Sequence, residues 1–144
     1  MSEVFVFDSG ALGAMAEDDP RMRRLLRVIV RDGGVVRVPS VVLAEGYGDP
    51  RHDPRYDRAL DALGGAERAV VATSISIAKE AGRILRDAGM HETIDAIVVA
   101  TAAVFRSPAT VVTGDASHIQ DLACCVPHDV GVIQLNALPG RDSL

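Results

Sequence analysis

VFVFDSGAL, residues Val4 to Leu12, sends four consecutive apolar side chains, two of them aromatic, straight into a carboxylate. A short apolar run rich in β-forming residues reads as a buried strand. The same event recurs in ATVVTGD, Ala109 to Asp115, so that Asp8 and Asp115 both stand just past the carboxyl end of an apolar strand. In open parallel sheets, ligands collect at that edge, where the strand order reverses. If the first and fourth strands are neighbours, the two carboxylates lie close together.

Working outward, further strands are expected at Val35 to Val38, Ala69 to Ala72 and Gly131 to Leu135. Helices are expected at Gly10 to Ala16, after Pro20 as far as Gly33-Gly34, from Ser40 through Glu45, and from Tyr56 to Leu63. Ser74 is suited to cap a helix over Ile75 to Ala88, with Gly89 as its stop. The segment from Thr93 to Phe105 is apolar nearly all round, which predicts a helix deep in the domain. Strands that alternate with helices, and are apolar throughout, imply an α/β sandwich around a parallel sheet.

The chain has 144 residues, a length that suits one domain, taken as residues 1–138 with a polar tail at 139–144. Apolar residues make up 48% and aromatics only 3%, so the core must be built from Val, Ala, Leu and Ile. No apolar run approaches the length of a membrane span, and no secretory signal is visible, so a cytoplasmic protein is expected. The adjacent Cys124 and Cys125 read as small core or near-core residues rather than a disulfide framework. A net charge of −5 argues against general adhesion to nucleic acid. Arginines nevertheless cluster at Arg21, Arg23, Arg24, Arg27 and Arg31, and again at Arg51, Arg55 and Arg58. These are either solvated helix faces or local phosphate contacts beside an acidic site.

Two more acids stand in apolar helical surroundings: Glu45 in VPSVVLAEGY and Asp95 in HETIDAIVVATA. An isolated ionised carboxylate there is expensive. The dipole at a helix start returns about 0.3–1 kcal/mol, only part of that cost. Gathering several carboxylates adds repulsion, which raises at least one pKa unless a cation is present. A divalent metal removes both penalties, and oxygen-only ligands favour Mg²⁺ or Mn²⁺ over zinc. Taken singly, each acid has a plainer reading: Asp8 as a helix cap, Glu45 as an exposed helix-end residue, Asp95 as an N-terminal helix acid, Asp115 as a turn residue. Together they share one pattern and can share one sheet edge.

The order Asp8, Glu45, Asp95, Asp115 resembles the PIN-domain ribonucleases, especially the VapC-type toxins of bacterial toxin–antitoxin pairs. The matching pieces are VFDSGAL, VPSVVLAE, TIDAIVVATA and VVTGDASHI, which together span essentially the whole chain. The resemblance implies a three-layer α/β/α sandwich with a five-stranded parallel sheet ordered 3-2-1-4-5, which would set Asp8 beside Asp115. It implies Mg²⁺- or Mn²⁺-dependent hydrolysis of RNA phosphodiester bonds. Asp8, Glu45, Asp95 and Asp115 would be catalytic, with Asp8, Asp95 and Asp115 holding the metal. Ser9 and Thr113 match small hydroxyl positions near the family's site, and His118 stands where many relatives carry another acid. These three are the expected substrate contacts: the two hydroxyls would bond to phosphate or to the carboxylates, and His118 to phosphate or metal, with local capping and a surface helix as the alternatives. Asp121 is either a replacement for the missing acid or part of a solvated face, and His91 and Glu92 mark a helix start. The resemblance also implies an antitoxin partner and a homodimer, with Met15, Met22 and Leu26 lining a groove or packing in the core. The polar stretch DPRHDPRYDR, Asp49 to Arg58, is a guide for RNA, a contact for a partner or an ordinary surface loop.

Two rival readings follow from the same residues. A haloacid-dehalogenase-like phosphohydrolase also opens on an apolar strand ending in Asp, but it wants a second acid two residues on, where this chain has Gly10. A non-catalytic module of the same fold would bind metal and RNA without turnover.

Overall fold

The computed structural model describes residues 2–48, 53–105, 108–114, 116–127 and 129–138. The tail 139–144, and Asp49, Pro50, Arg51 and His52 of the polar stretch, lie outside the described residues.

The chain opens with β1 (Val4–Phe7), wholly buried, and turns at once into α1 (Ser9–Ala16). α2 (Pro20–Arg31) starts where Pro20 fills the first helical turn and Asp19 accepts the Arg21 N–H at 2.8 Å. β2 (Val35–Pro39) leads into α3 (Ser40–Gly46), and α4 (Asp53–Ala62) and a single-turn α5 (Ala66–Ala69) precede β3 (Val70–Val71). α6 (Ile75–Ala88) is capped as the sequence suggests: the Ser74 hydroxyl accepts the Ile77 N–H at 3.1 Å, and Gly89 closes the helix at φ 65°. α7 (Thr93–Ala103), β4 (Ala109–Thr113), α8 (Ala116–Ala123), β5 (Val130–Gln134) and a 3₁₀ turn at Leu135–Ala137 complete the fold.

The five strands pair in parallel in the order β3-β2-β1-β4-β5. This is the expected order, and it makes β1 and β4 neighbours, with Phe7 opposite Val112. α7 lies against β1, β2, β4 and β5 and carries α6 and α8 beside it, while α1 packs with α2, α3 and α4. Ala96, Val98, Val99, Ala100 and Ala102 of α7 are buried, as its all-round apolar character requires. Phe7, Leu12, Ile84, Val98, Val111 and Leu122 are among the fully buried side chains. Truncating one such residue to Ala costs about 2–5 kcal/mol.

Several expectations need correction. β3 has two residues rather than four, because Ala69 closes α5 and the facing edge of β2 ends at Pro39, which offers no N–H to extend the ladder. α4 begins at Asp53 rather than Tyr56, since Pro54 suits a first turn, and it ends one residue earlier at Ala62. α7 stops at Ala103 and not Phe105. β5 is shifted back by one residue, with Val130 paired to Ala109. Cys124 is exposed and only Cys125 packs against the core, because both lie just past the end of α8; both are free thiols. Met22 is fully buried and belongs to the core, whereas Met15 and Leu26 remain partly accessible.

Candidate active site at the carboxyl edge of the sheet

Asp8 leaves β1 still tied to β4, its N–H donating to the Val112 carbonyl at 3.2 Å. Its carboxylate accepts the Ala11 N–H at 2.9 Å, which makes it the N-cap of α1. The plainer reading of Asp8 as a cap is therefore correct, but it is incomplete. The same carboxylate also accepts the Thr113 hydroxyl and the Gly114 N–H, both from the end of β4. Asp8 is only 8% exposed, and Thr113 is fully buried. Burial pushes the Asp8 carboxyl above its ordinary value, and the charge of Glu45 adds to the rise; the three donors offset part of it.

Asp95 stands in the first turn of α7, half-buried. Its pKa is also raised, first by burial and then by the Asp8 carboxylate, with Glu45 and Glu92 contributing and His118 opposing. Glu45, exposed near the end of α3, thus acts on both Asp8 and Asp95. Three acids far apart in sequence share one electrostatic environment at the carboxyl edge of the sheet.

His118 is exposed on α8, yet its Nδ1 lies 3.7 Å from Asp95 Oδ2 and its Nε2 lies 3.8 Å from Glu92 Oε1. It is a surface histidine that also borders the acids. Glu92 precedes α7, and its carboxylate accepts backbone N–H groups, that of His91 at 3.1 Å, which lowers its pKa. Glu92 is the residue that sequence reasoning passed over as a helix-start marker. Its partner comes from α8, 26 residues away in the chain (118 − 92), so no local pattern announces it. Ser9, the first residue of α1, is half-buried next to Asp8; Asp121 lies on the exposed side of α8. Asp115 lies outside the described residues, although its neighbour Gly114 is in place.

Gly114 also bears on the phosphohydrolase alternative. A Cβ built on Gly10 would lie 3.0 Å from both Cα and N of Gly114, so a second acid at position 10 would have to displace the Gly114 backbone.

Among the described residues, no three His, Cys, Asp or Glu side chains come close enough together to hold a metal by themselves. Asp8 and Asp95 are nonetheless suited to one. Their oxygen donors match a hard divalent cation, and the burial and repulsion that raise both pKa values are what such a cation would relieve.

A family model described as "PIN domain" matches residues 5–123. No curated protein matches the chain. Two solved structures share its fold. One is VapBC2 from Rickettsia felis bound to a DNA fragment from its promoter, 15% identical, covering 91% of this chain and 98% of that one at a TM-score of 0.63. The other is FitAB bound to an IR36 DNA fragment, 18% identical, covering 95% of this chain and 99% of that one at a TM-score of 0.66.

Proposed function

The chain belongs to the PIN domain family, and from that premise we propose that it is a metal-dependent endoribonuclease, the toxin of a toxin–antitoxin pair acting in the cytoplasm. The observation that carries the reading is the meeting of Asp8 and Asp95 at one sheet edge, where burial raises both carboxyls and the charge of Glu45 adds to each rise. Asp8 and Asp95, with Asp115, would hold Mg²⁺ or Mn²⁺. Such an ion, when bound, activates water near neutral pH and offsets the charge that builds on the scissile phosphate.

The chain's own groups have separable tasks. Thr113 and the Gly114 N–H hold the Asp8 carboxylate in one orientation. Glu45 positions water from the exposed side. Ser9 and His118 contact the RNA phosphates, His118 steadied between Asp95 and Glu92. The net acidity of the edge keeps bulk anions away when no cation is there.

An antitoxin has a suitable seat. Met15, Leu26 and Ala62 line two adjoining hollows of about 470 and 390 Å³. Arg37 and Arg68 give the first a basic rim, whereas in the second Arg23, Arg55 and Arg58 stand beside Asp18 and Asp19, so the first is the seat for the acidic side of a partner. An apolar floor with a basic rim fits an amphipathic acidic segment. The exposed Val28 and Val30 of α2 support a homodimer, which sedimentation would test.

The deciding experiment is cleavage of single-stranded RNA with Mn²⁺ and with chelator, using the wild type and an Asp8→Asn, Asp95→Asn double variant. Cleavage by the wild type with Mn²⁺ alone is expected. Binding of Mn²⁺ and RNA without cleavage would make the chain a non-catalytic module, and equal Mn²⁺ affinity in both proteins would remove the metal site.

A further inference from the structure

A separate hollow of about 300 Å³ opens beside the Asp8 site. Gly10 and Gly114 line it, and Gly114 donates its N–H to the Asp8 carboxylate. Glu17, Asp19, Arg21 and Asn136 also contribute to its wall. Its volume is at the lower end of small-ligand clefts, the size class of one nucleotide rather than of a protein segment.

The charges decide what kind of group it would accept. Asp19 balances Arg21 through two hydrogen bonds, from Nε at 3.3 Å and from Nη2 at 3.1 Å. Glu17 is in turn paired with Arg55, at 3.9 Å, so the wall carries no excess charge. A phosphate would meet no uncompensated cation there, so the hollow suits a neutral group rich in hydrogen-bonding atoms. Asp19 occupies the Nε/Nη2 edge of the guanidinium. The Nη1/Nη2 edge keeps two parallel N–H donors, and Nη1 has no partner among the described residues. Of the bases, guanine offers two acceptors side by side, O6 and N7, to match such a pair. Asn136, exposed on the 3₁₀ turn after β5, adds an amide with both donor and acceptor.

We infer that this hollow is a base-recognition subsite for a guanine flanking the scissile phosphate, with Arg21 as the specificity-determining residue. The inference deepens the nuclease reading and depends on it only for the word scissile. Asp19 is a positioning residue: it fixes the plane of the guanidinium.

The test is direct binding of fluorescent hexaribonucleotides to the Asp95→Asn protein in Mn²⁺, so that turnover does not interfere. The probes are oligouridine, the same oligomer carrying one guanosine, and the same carrying 7-deazaguanosine, which lacks N7. The guanosine probe is expected to bind about tenfold tighter than either other probe, in line with one bidentate contact. Arg21→Gln and Arg21→Lys should both erase that preference and leave oligouridine affinity unchanged; the lysine variant keeps the charge and the pairing with Asp19 but not the parallel donors. Equal affinity for the three probes, including no binding at all, overturns the subsite, as does a preference that survives both variants. Guanosine preference in a protein that fails to cleave RNA would sink the nuclease reading alone. Cleavage by a wild type whose binding ignores guanosine would sink the subsite alone.

Discussion

Gly10 and Gly114 approach so closely that a side chain on either would have to displace backbone: a Cβ on Gly10 would stand 3.0 Å from the Gly114 backbone, and one on Gly114 would stand 3.2 Å from Gly10 Cα. The contact clamps the start of α1 to the end of β4 and holds the Gly114 N–H on the Asp8 carboxylate. Backbone meets backbone here, so no flexible side chain can give way. Gly10→Ala should therefore destabilise the fold by about 1–3 kcal/mol, and it should weaken Mn²⁺ binding as well. Thermal unfolding and calorimetric titration of the variant check both; wild-type values in each would mean that the clamp has no role.

Thr113→Val keeps the β-branched shape that closes β4 but removes the hydroxyl donor to Asp8. Two backbone donors to Asp8 remain, so the fold should survive. A second-layer partner of this kind is worth about 10–100-fold in metal affinity. A Mn²⁺ dissociation constant within twofold of wild type would exclude that role for Thr113.

The raised pKa of Asp8 has a definite sign for stability. Its carboxyl binds a proton more tightly in the folded chain than in the unfolded one. Its contribution to stability is therefore greatest below the unfolded value of 3.8, falls as pH rises through the raised folded value, and is level beyond it. In chelator, the stability of Asp8→Asn minus that of the wild type should grow with rising pH across that window. Mn²⁺ should reverse the wild-type loss at neutral pH, because binding to the folded state adds stability. A pH-independent difference would contradict the burial argument.

His118→Ala removes a side chain that touches Asp95 and Glu92 from a third element. Steady-state cleavage kinetics should place most of the loss in KM, as expected for lost ground-state binding of RNA. An unchanged KM with a large fall in kcat would move His118 from substrate contact into the chemistry itself.

Ser74→Ala serves as a structural control. It deletes the cap of α6, which packs on α7, and should cost about 1 kcal/mol. Metal affinity should be untouched. A parallel loss of Mn²⁺ binding would mean that the site reports global stability and not local geometry.

Much of this protein was legible before folding was considered. Val4–Phe7 and Ala109–Thr113 are apolar at every position except the two threonines, because parallel strands are covered on both faces. Asp8 and Asp95 were conspicuous because charge is expensive in such company. Periodicity and caps placed α6 and α7, where Ser74 and Gly89 carry the instruction locally. Boundaries that depend on a neighbour were less visible: β3 is short because of what β2 offers it, and α5 has too few residues to leave a pattern.

By itself, the sequence determined the alternation of buried strands and helices and the identity of the acids, since both follow from burial periodicity and from the cost of ionising a group among apolar residues. Only the tertiary structure decided that His118 meets Glu92 and Asp95, that Arg21 shares a hollow with Gly10, Gly114 and Asn136, and that two glycines touch behind Asp8. The reason is physical: those contacts join separate elements, and their distances are set by how the elements pack on the sheet.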